Sequence, residues 1–130
     1  MSNMANTTET TNTSKTWKTV CSVSDLVDNS GVCALVTISA TTEAANDKQI
    51  AIFSLPEQPE KVFAIDNFDP IGKANVLYRG ITGCNQGEPM VASPLYKQQF
   101  SLKTGQCLQE DASITAYQTR IEAQDVQVLL

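Results

Sequence analysis

The sequence predicts an all-β protein built from two packed antiparallel sheets. Three observations carry this expectation. Short segments rich in Val, Ile, Phe and Thr recur along residues 16–130, several of them alternating apolar and polar side chains at the strand period of two. No segment sustains a helical period. Clusters of Gly, Pro, Asn and Asp fall between the apolar runs, where turns belong. Many short strands without helices imply stacked or closed sheets.

In chain order, residues 1–15 are Thr, Asn, Ser and Glu with almost nothing to bury, so they are expected to form a disordered N-terminal tail. A single domain then spans 16–130. Thr16–Val23 alternates like an edge strand. Ser24 to Asp28 reads as one helical turn, with Ser24 as N-cap and Asp25 and Asp28 as capping charges. Val32–Ile38, Gln49–Leu55 and Lys61–Ile65 are apolar on both alternating faces, the pattern of strands covered on both sides. A polar loop, Ser39–Lys48, and a turn, Pro56–Glu60, connect them. Gln99–Leu102 and Gln106–Leu108 flank Lys103-Thr104-Gly105, a hairpin with glycine where positive φ is expected. Ser113–Glu122 and Val126–Leu130 alternate again across a short polar turn.

Composition narrows the chemistry. The chain has 130 residues, of which 42% are apolar, enough for one packed core that buries roughly two-thirds of the unfolded surface. A net charge of −5 is the wrong sign for nucleic acid or an anionic membrane surface, so neither is expected as a partner. The longest apolar run, Val32–Val36, falls far short of the ~18 residues of a membrane span. The sequence opens without a basic, apolar leader, so an intracellular, cytoplasmic chain is expected. The count of histidines is zero. That removes the usual neutral-pH general base and any Ser/His or Cys/His nucleophile pair. The four cysteines, Cys21, Cys33, Cys84 and Cys107, contain no C-x-x-C pair and are expected to be free, small core hydrophobes.

The stretch from Asp66 to Phe100 holds the motifs. Two proline loops, Asp69-Pro70-Ile71 and Ser93-Pro94-Leu95-Tyr96, lie between strand-like segments. Asp66 and Asp69 form a spaced carboxylate pair, but aspartate before proline ordinarily closes an Asx turn. Gly80, Gly83 and Gly87 lack the phosphate-loop arrangement and read as a long turn, Arg79–Gly87. Cys84 falls in that turn. Acidified by Arg79 or Lys73, it would make the chain a stand-alone redox-active thiol protein, the alternative function.

The segments V-F-A-I-D-N around the first loop, M-V-A-S-P-L-Y around the second and L-K-T-G-Q-C-L after it resemble the frame of Rieske [2Fe–2S] domains. Such domains hold their cluster with two thiolates and two imidazoles from two loops. The resemblance implies a Rieske-like fold of packed antiparallel sheets, with 66–100 as a smaller inserted cluster-binding subdomain. It places the ligand positions on Asp69, Ile71, Ser93 and Tyr96, none of them Cys or His. The 21 residues between Ile71 and Ser93 also exceed the usual interval. This ligand-less pattern is similar to the small subunits of assimilatory NAD(P)H-dependent nitrite reductases. The similarity runs from Trp17 to the C-terminus through W-K-T-V-C, G-V-C-A-L, Q-I-A-I-F, V-L-Y-R-G-I and V-A-S-P-L-Y-K-Q-Q-F.

That resemblance implies a chain with no cofactor, metal or catalytic residue of its own. Its partner is a large subunit carrying flavin (FAD), an iron–sulfur cluster and sirohaem, which reduces nitrite to ammonium in nitrate assimilation. Ile71, Leu95 and Tyr96 are placed either to plug the volume a cluster would fill or to face that partner. Pro70, Pro94, Tyr78 and Arg79 complete the set of docking candidates, as rigid positions and interface-prone side chains.

Overall fold

The computed structural model describes residues 15–37 and 47–130. Twelve strands occur among them: β1 (Trp17–Ser22), β2 (Ser30–Thr37), β3 (Asp47–Ser54), β4 (Val62–Asp66), β5 (Phe68–Asp69), β6 (Ala74–Asn75), β7 (Ile81–Asn85), β8 (Glu88–Ala92), β9 (Gln99–Ser101), β10 (Ala116–Tyr117), β11 (Thr119–Glu122) and β12 (Asp125–Leu129). All their pairings are antiparallel. Two short 3₁₀ turns, Val23–Asp25 and Leu77–Arg79, are the only helical elements among the described residues.

A four-stranded sheet in the order β10-β4-β3-β2 forms the centre, with three-stranded sheets β9-β8-β7 and β11-β12-β1 beside it and a β5-β6 ribbon. The all-β class holds, with more sheets than the two expected. The period-2 pattern explains the layering. Ala51, Phe53 and Leu55 of β3 and the segment after it, with Phe63 and Ile65 of β4, pack in one core cluster with Leu77, Val91 and Phe100. The alternate residues Ile50, Ile52, Val62 and Ala64 pack in another with Val126 and Val128. Both faces of β3 and β4 are therefore covered, as their continuous apolar runs require. Fully burying side chains such as Ile50, Ile52 and Phe53 stabilises the fold by roughly 1.5–3 kcal/mol each.

Several local expectations change. β2 is not covered on both faces: Val32, Ala34 and Val36 pack into the second cluster, whereas the alternate residues Cys33 and Leu35 are exposed, Leu35 at 65%. The 3₁₀ turn at Val23–Asp25 is capped by Ser22 rather than Ser24. Ser22 Oγ accepts from Ser24 N and Asp25 Oδ2 from Ser22 N, a reciprocal capping box. Asp28 lies beyond that turn, bridged to Ser54. Asp47 and Lys48 belong to β3 rather than to the preceding loop. Residues 1–14 and 38–46, which include most of the expected tail and loop, lie outside the described residues. Arg79–Gly87 is not a long turn: Ile81–Asn85 is β7, hairpinned to β8 through Gln86 and Gly87, both at positive φ (53° and 86°).

The cysteines are free, but only Cys107 is a buried core residue; Cys21 is half-buried, and Cys33 and Cys84 are exposed. Cys33 sits on the same uncovered face of β2 as Leu35, whereas its neighbour Ala34 faces the core. The hairpin after β9 forms as expected, with Gly105 at φ 82° and Phe100 bridged to Cys107.

Candidate functional site

The two proline loops fold as a matched pair of five-residue turns, D-P-I-G-K at 69–73 and S-P-L-Y-K at 93–97. In the first, Asp69 Oδ1 accepts from Ile71 N (2.8 Å) and Gly72 N (3.0 Å), and Lys73 N donates to Asp69 O at 2.7 Å. In the second, Ser93 Oγ accepts from Leu95 N at 3.1 Å, and Lys97 N donates to Ser93 O at 3.0 Å. Each turn opens on a short polar side chain that bonds its own backbone. Each closes on a lysine in the left-handed region, φ 65° at Lys73 and 67° at Lys97. The Asx-turn reading of Asp69 thus holds.

The turns are joined through their first residues. Ser93 Oγ donates to Asp69 Oδ2 at 2.5 Å, and both residues are buried, at 1% and 0% exposure. Two of the four ligand positions implied by the resemblance are therefore bonded to each other. Ile71 is half-buried and packs on the core. Leu95 leans on the first turn: a Cβ at Gly72 would meet Leu95 Cδ1 at 2.4 Å, so a larger residue there would push the Leu95 side chain aside. Leu95 is nonetheless 43% exposed and Tyr96 65% exposed. Asp69 and Ser93 are thus buried where the two turns meet and Ile71 is half-buried against the core, while Pro94, Leu95 and Tyr96 are exposed.

Tyr78 and Arg79 lie on the second 3₁₀ turn, and the buried Asn67 fixes it. Asn67 Oδ1 accepts from Tyr78 N at 2.8 Å, Asn67 O accepts from Leu77 N at 3.1 Å, and Asn67 Nδ2 donates to Gln49 Oε1 at 3.0 Å. Tyr78 packs half-buried against the core, and the exposed Arg79 guanidinium lies 5.9 Å from its ring centre. Gly80 brings this turn against the end of β8, where the second loop begins, because a Cβ there would lie 2.3 Å from Ala92 O. Asn67, Gly72 and Lys97 were not singled out from sequence, Gly80 was weighed only as part of a glycine-rich turn, and Lys73 only as a neighbour of Cys84. A polar Asn inside the apolar run V-F-A-I-D-N-F was the available signal for the first.

Asp66 is not paired with Asp69. Its Oδ1 accepts from Tyr117 Oη at 2.6 Å and lies 3.3 Å from Lys48 Nζ, while Oδ2 accepts from Thr115 N at 3.3 Å. Burial, then the Asp66 hydrogen bond and charge, push the Tyr117 phenol well above its ordinary range. Cys84 lies on β7, and its sulfur accepts from Gln58 Nε2 at 3.5 Å rather than contacting Arg79 or Lys73. Burial raises the thiols of Cys21 and Cys33, with Asp25 adding to the first.

This frame is that of a Rieske-type domain, and the family model of the Rieske-like [2Fe–2S] domain matches residues 16–129. The nitrite reductase (NADH) small subunit of Escherichia coli is 40% identical over 110 residues, covering 84% of this chain and 93% of that one. The NMR structure of the E. coli protein NirD superposes with a TM-score of 0.73 at 36% identity, covering 90% of this chain and 98% of that one. The chain belongs to the family of nitrite reductase small subunits. A segment of the nitrite reductase [NAD(P)H] large subunit of Klebsiella oxytoca is also similar, 43% identical over 77 residues, 58% of this chain and 8% of that one.

The residues present do not fit a Rieske cluster. Ile71 has no donor atom, Asp69 and Ser93 spend their oxygens on each other and on turn amides, and thiolate and imidazole are missing from all four positions. Among the described residues no group of three His, Cys, Asp or Glu side chains converges to hold a metal. None of the helical elements is long and apolar enough to cross a membrane.

Proposed function

We propose that this chain is a non-catalytic small subunit of a cytoplasmic NAD(P)H-dependent nitrite reductase, reducing nitrite to ammonium in nitrate assimilation. Its partner is the large subunit, which carries FAD, an iron–sulfur cluster and sirohaem, while this chain carries no [2Fe–2S] cluster. One observation carries the reading: the Ser93–Asp69 hydrogen bond occupies two of the four ligand positions of the cluster frame in a chain 40% identical to a nitrite reductase small subunit. The Klebsiella large subunit supports the pairing, since it contains a segment similar to this chain within its own length.

Pro70, Tyr78, Arg79, Pro94, Leu95 and Tyr96 form the docking surface, with the half-buried Ile71 supporting it from the core side. The prolines hold the turns at low entropic cost, and the exposed Tyr96 and Arg79 are residue types that anchor interfaces. The test is co-expression of the tagged chain with its large subunit, followed by iron analysis and a visible spectrum of each component. The reading expects a complex whose sirohaem and flavin absorption stays with the large subunit. Stoichiometric iron in the small subunit, or failure to capture the large one, overturns it.

A further inference from the structure

The 66–100 segment sorts its charges by direction. It contains three acidic residues, Asp66, Asp69 and Glu88, and three basic ones, Lys73, Arg79 and Lys97. Every acid is engaged within the fold: Asp69 with Ser93, Asp66 with Tyr117 and Lys48, and Glu88 with Ser101. The three cations are exposed, and none has an ion-pair partner among the described residues, whose ion pairs are Lys48–Asp66, Lys103–Glu60 and Arg120–Glu122. Within this segment of a chain of net charge −5 the outward charges are therefore all cationic, with Glu110 of the later loop reaching Gln98 beside them at 2.9 Å.

The backbone makes the placement specific. Lys73 and Lys97 close equivalent turns, and those turns are tied by Ser93 Oγ to Asp69 Oδ2 at 2.5 Å. Left-handed φ is the ordinary province of glycine, and a lysine there costs on the order of 1 kcal/mol. Lys61 also adopts positive φ, but its ammonium has an internal use, donating to Pro56 O at 2.9 Å. The ammonium groups of Lys73 and Lys97 have none among the described residues. Beside them are the exposed apolar side chains Leu95 and Tyr96: both belong to the turn that Lys97 closes, and Leu95 reaches the other turn at Gly72, next to Lys73.

We infer that Lys73 and Lys97, with Arg79, form the electrostatic rim of a docking face that recognises an acidic surface with an apolar centre on the large subunit. The inference rests on the proposed pairing and adds the chemistry of the surface that receives it. Opposite charge across a rim steers encounter and fixes orientation, and its effect falls with ionic strength.

The test measures binding of the full chain to the purified large subunit at about 0.05 M and about 0.5 M salt, the range over which exposed charges become screened. The double reversal Lys73→Glu/Lys97→Glu is expected to raise Kd about tenfold at low salt, and most of that gap is expected to close at high salt. The neutral pair Lys73→Gln/Lys97→Gln falls between the reversal and the parent, and guards against strain from the new carboxylates. Lys18→Glu, exposed on β1, changes the charge elsewhere and leaves Kd within about twofold. Thermal melting confirms that each variant is folded. Parental affinity and salt dependence in both double variants overturn the inference while leaving the pairing intact. If the parent binds the large subunit at neither salt, the pairing fails and the inference with it. Concentration-dependent dimerisation of the parent, lost in the reversal, assigns the face to a second copy and also overturns it.

Discussion

Ser93 and Asp69, 24 residues apart in the chain, share a hydrogen bond of 2.5 Å in which the hydroxyl donates to a carboxylate that is wholly buried. The carboxylate has no cation beside it among these contacts; its partners are the Ser93 hydroxyl and the amides of Ile71 and Gly72. Removing the acceptor leaves three donors unmet, whereas removing the hydroxyl leaves most of the network in place. Asp69→Ala is therefore expected to destabilise by about 3 kcal/mol or more and Ser93→Ala by about 1.5 kcal/mol. In urea titrations the double variant should show about 1 kcal/mol of coupling. Strict additivity would mean that the bond does not join the loops.

Ile71 and Tyr96 separate filling from facing. Ile71 packs on the core, and Tyr96 is 65% exposed. Ile71→Ala should cost about 2 kcal/mol of stability, while Tyr96→Ala should leave stability within about 0.5 kcal/mol. Tyr96→Ala should instead weaken capture of the large subunit by about tenfold. Chemical denaturation and binding assays on the same two proteins distinguish the roles. A Tyr96→Ala protein that unfolds more readily yet binds unchanged would reverse the assignment.

Two glycines at nearly the same φ should behave differently. Gly87, at 86°, has nothing within 4 Å of an added Cβ, whereas at Gly105, at 82°, the Cβ would meet Ile114 O at 2.0 Å. Gly87→Ala carries only the backbone strain, about 1 kcal/mol. Gly105→Ala adds a clash against main chain and should cost about 3 kcal/mol. Melting curves that place the two variants together would show that the hairpin yields to the intruding methyl.

Alkaline pH should weaken the fold through Tyr117. Its phenol ionises at higher pH in the native chain than in the unfolded one, because of burial and then the Asp66 carboxylate. The stabilisation is complete below about pH 10, the unfolded value, and is lost as pH rises toward the native value. Its slope is at most about 1.4 kcal/mol per pH unit, reduced by solvent screening at this half-buried site. The thiols of Cys21 and Cys33, also raised, act in the same direction from the ordinary thiol value of 9.0 upward. Tyr117→Phe is expected to flatten the alkaline limb of denaturant midpoint against pH. An unchanged limb would assign it to other groups.

Much of the fold was legible because burial on two faces leaves a continuous apolar run, as in Ile50–Phe53 and Val62–Ile65. The same pattern misled at β2. A run such as V-C-A-L-V does not record whether both of its faces meet another layer, and here Cys33 and Leu35 face outward while Ala34 is buried. β7 was hidden because Gly83 and Cys84 break the expected alternation. The Gln86-Gly87 pair before Glu88 was the signal that a two-residue hairpin was there. At the site, the proline loops and the Asx turn could be read locally. The bond between Asp69 and Ser93 could not, since it depends on two distant turns meeting. The lysines of those turns escaped because nothing in a sequence marks a side chain at positive φ.

The matched turns also bear on how the subunit matures. A cluster clamp closes only after iron and sulfide have been delivered, and it can open again under oxidation or chelation. The Ser93–Asp69 bond is made of nothing but polypeptide, so the junction between these loops is complete as soon as the chain has folded. Iron starvation, oxygen and chelators are expected to leave that junction untouched.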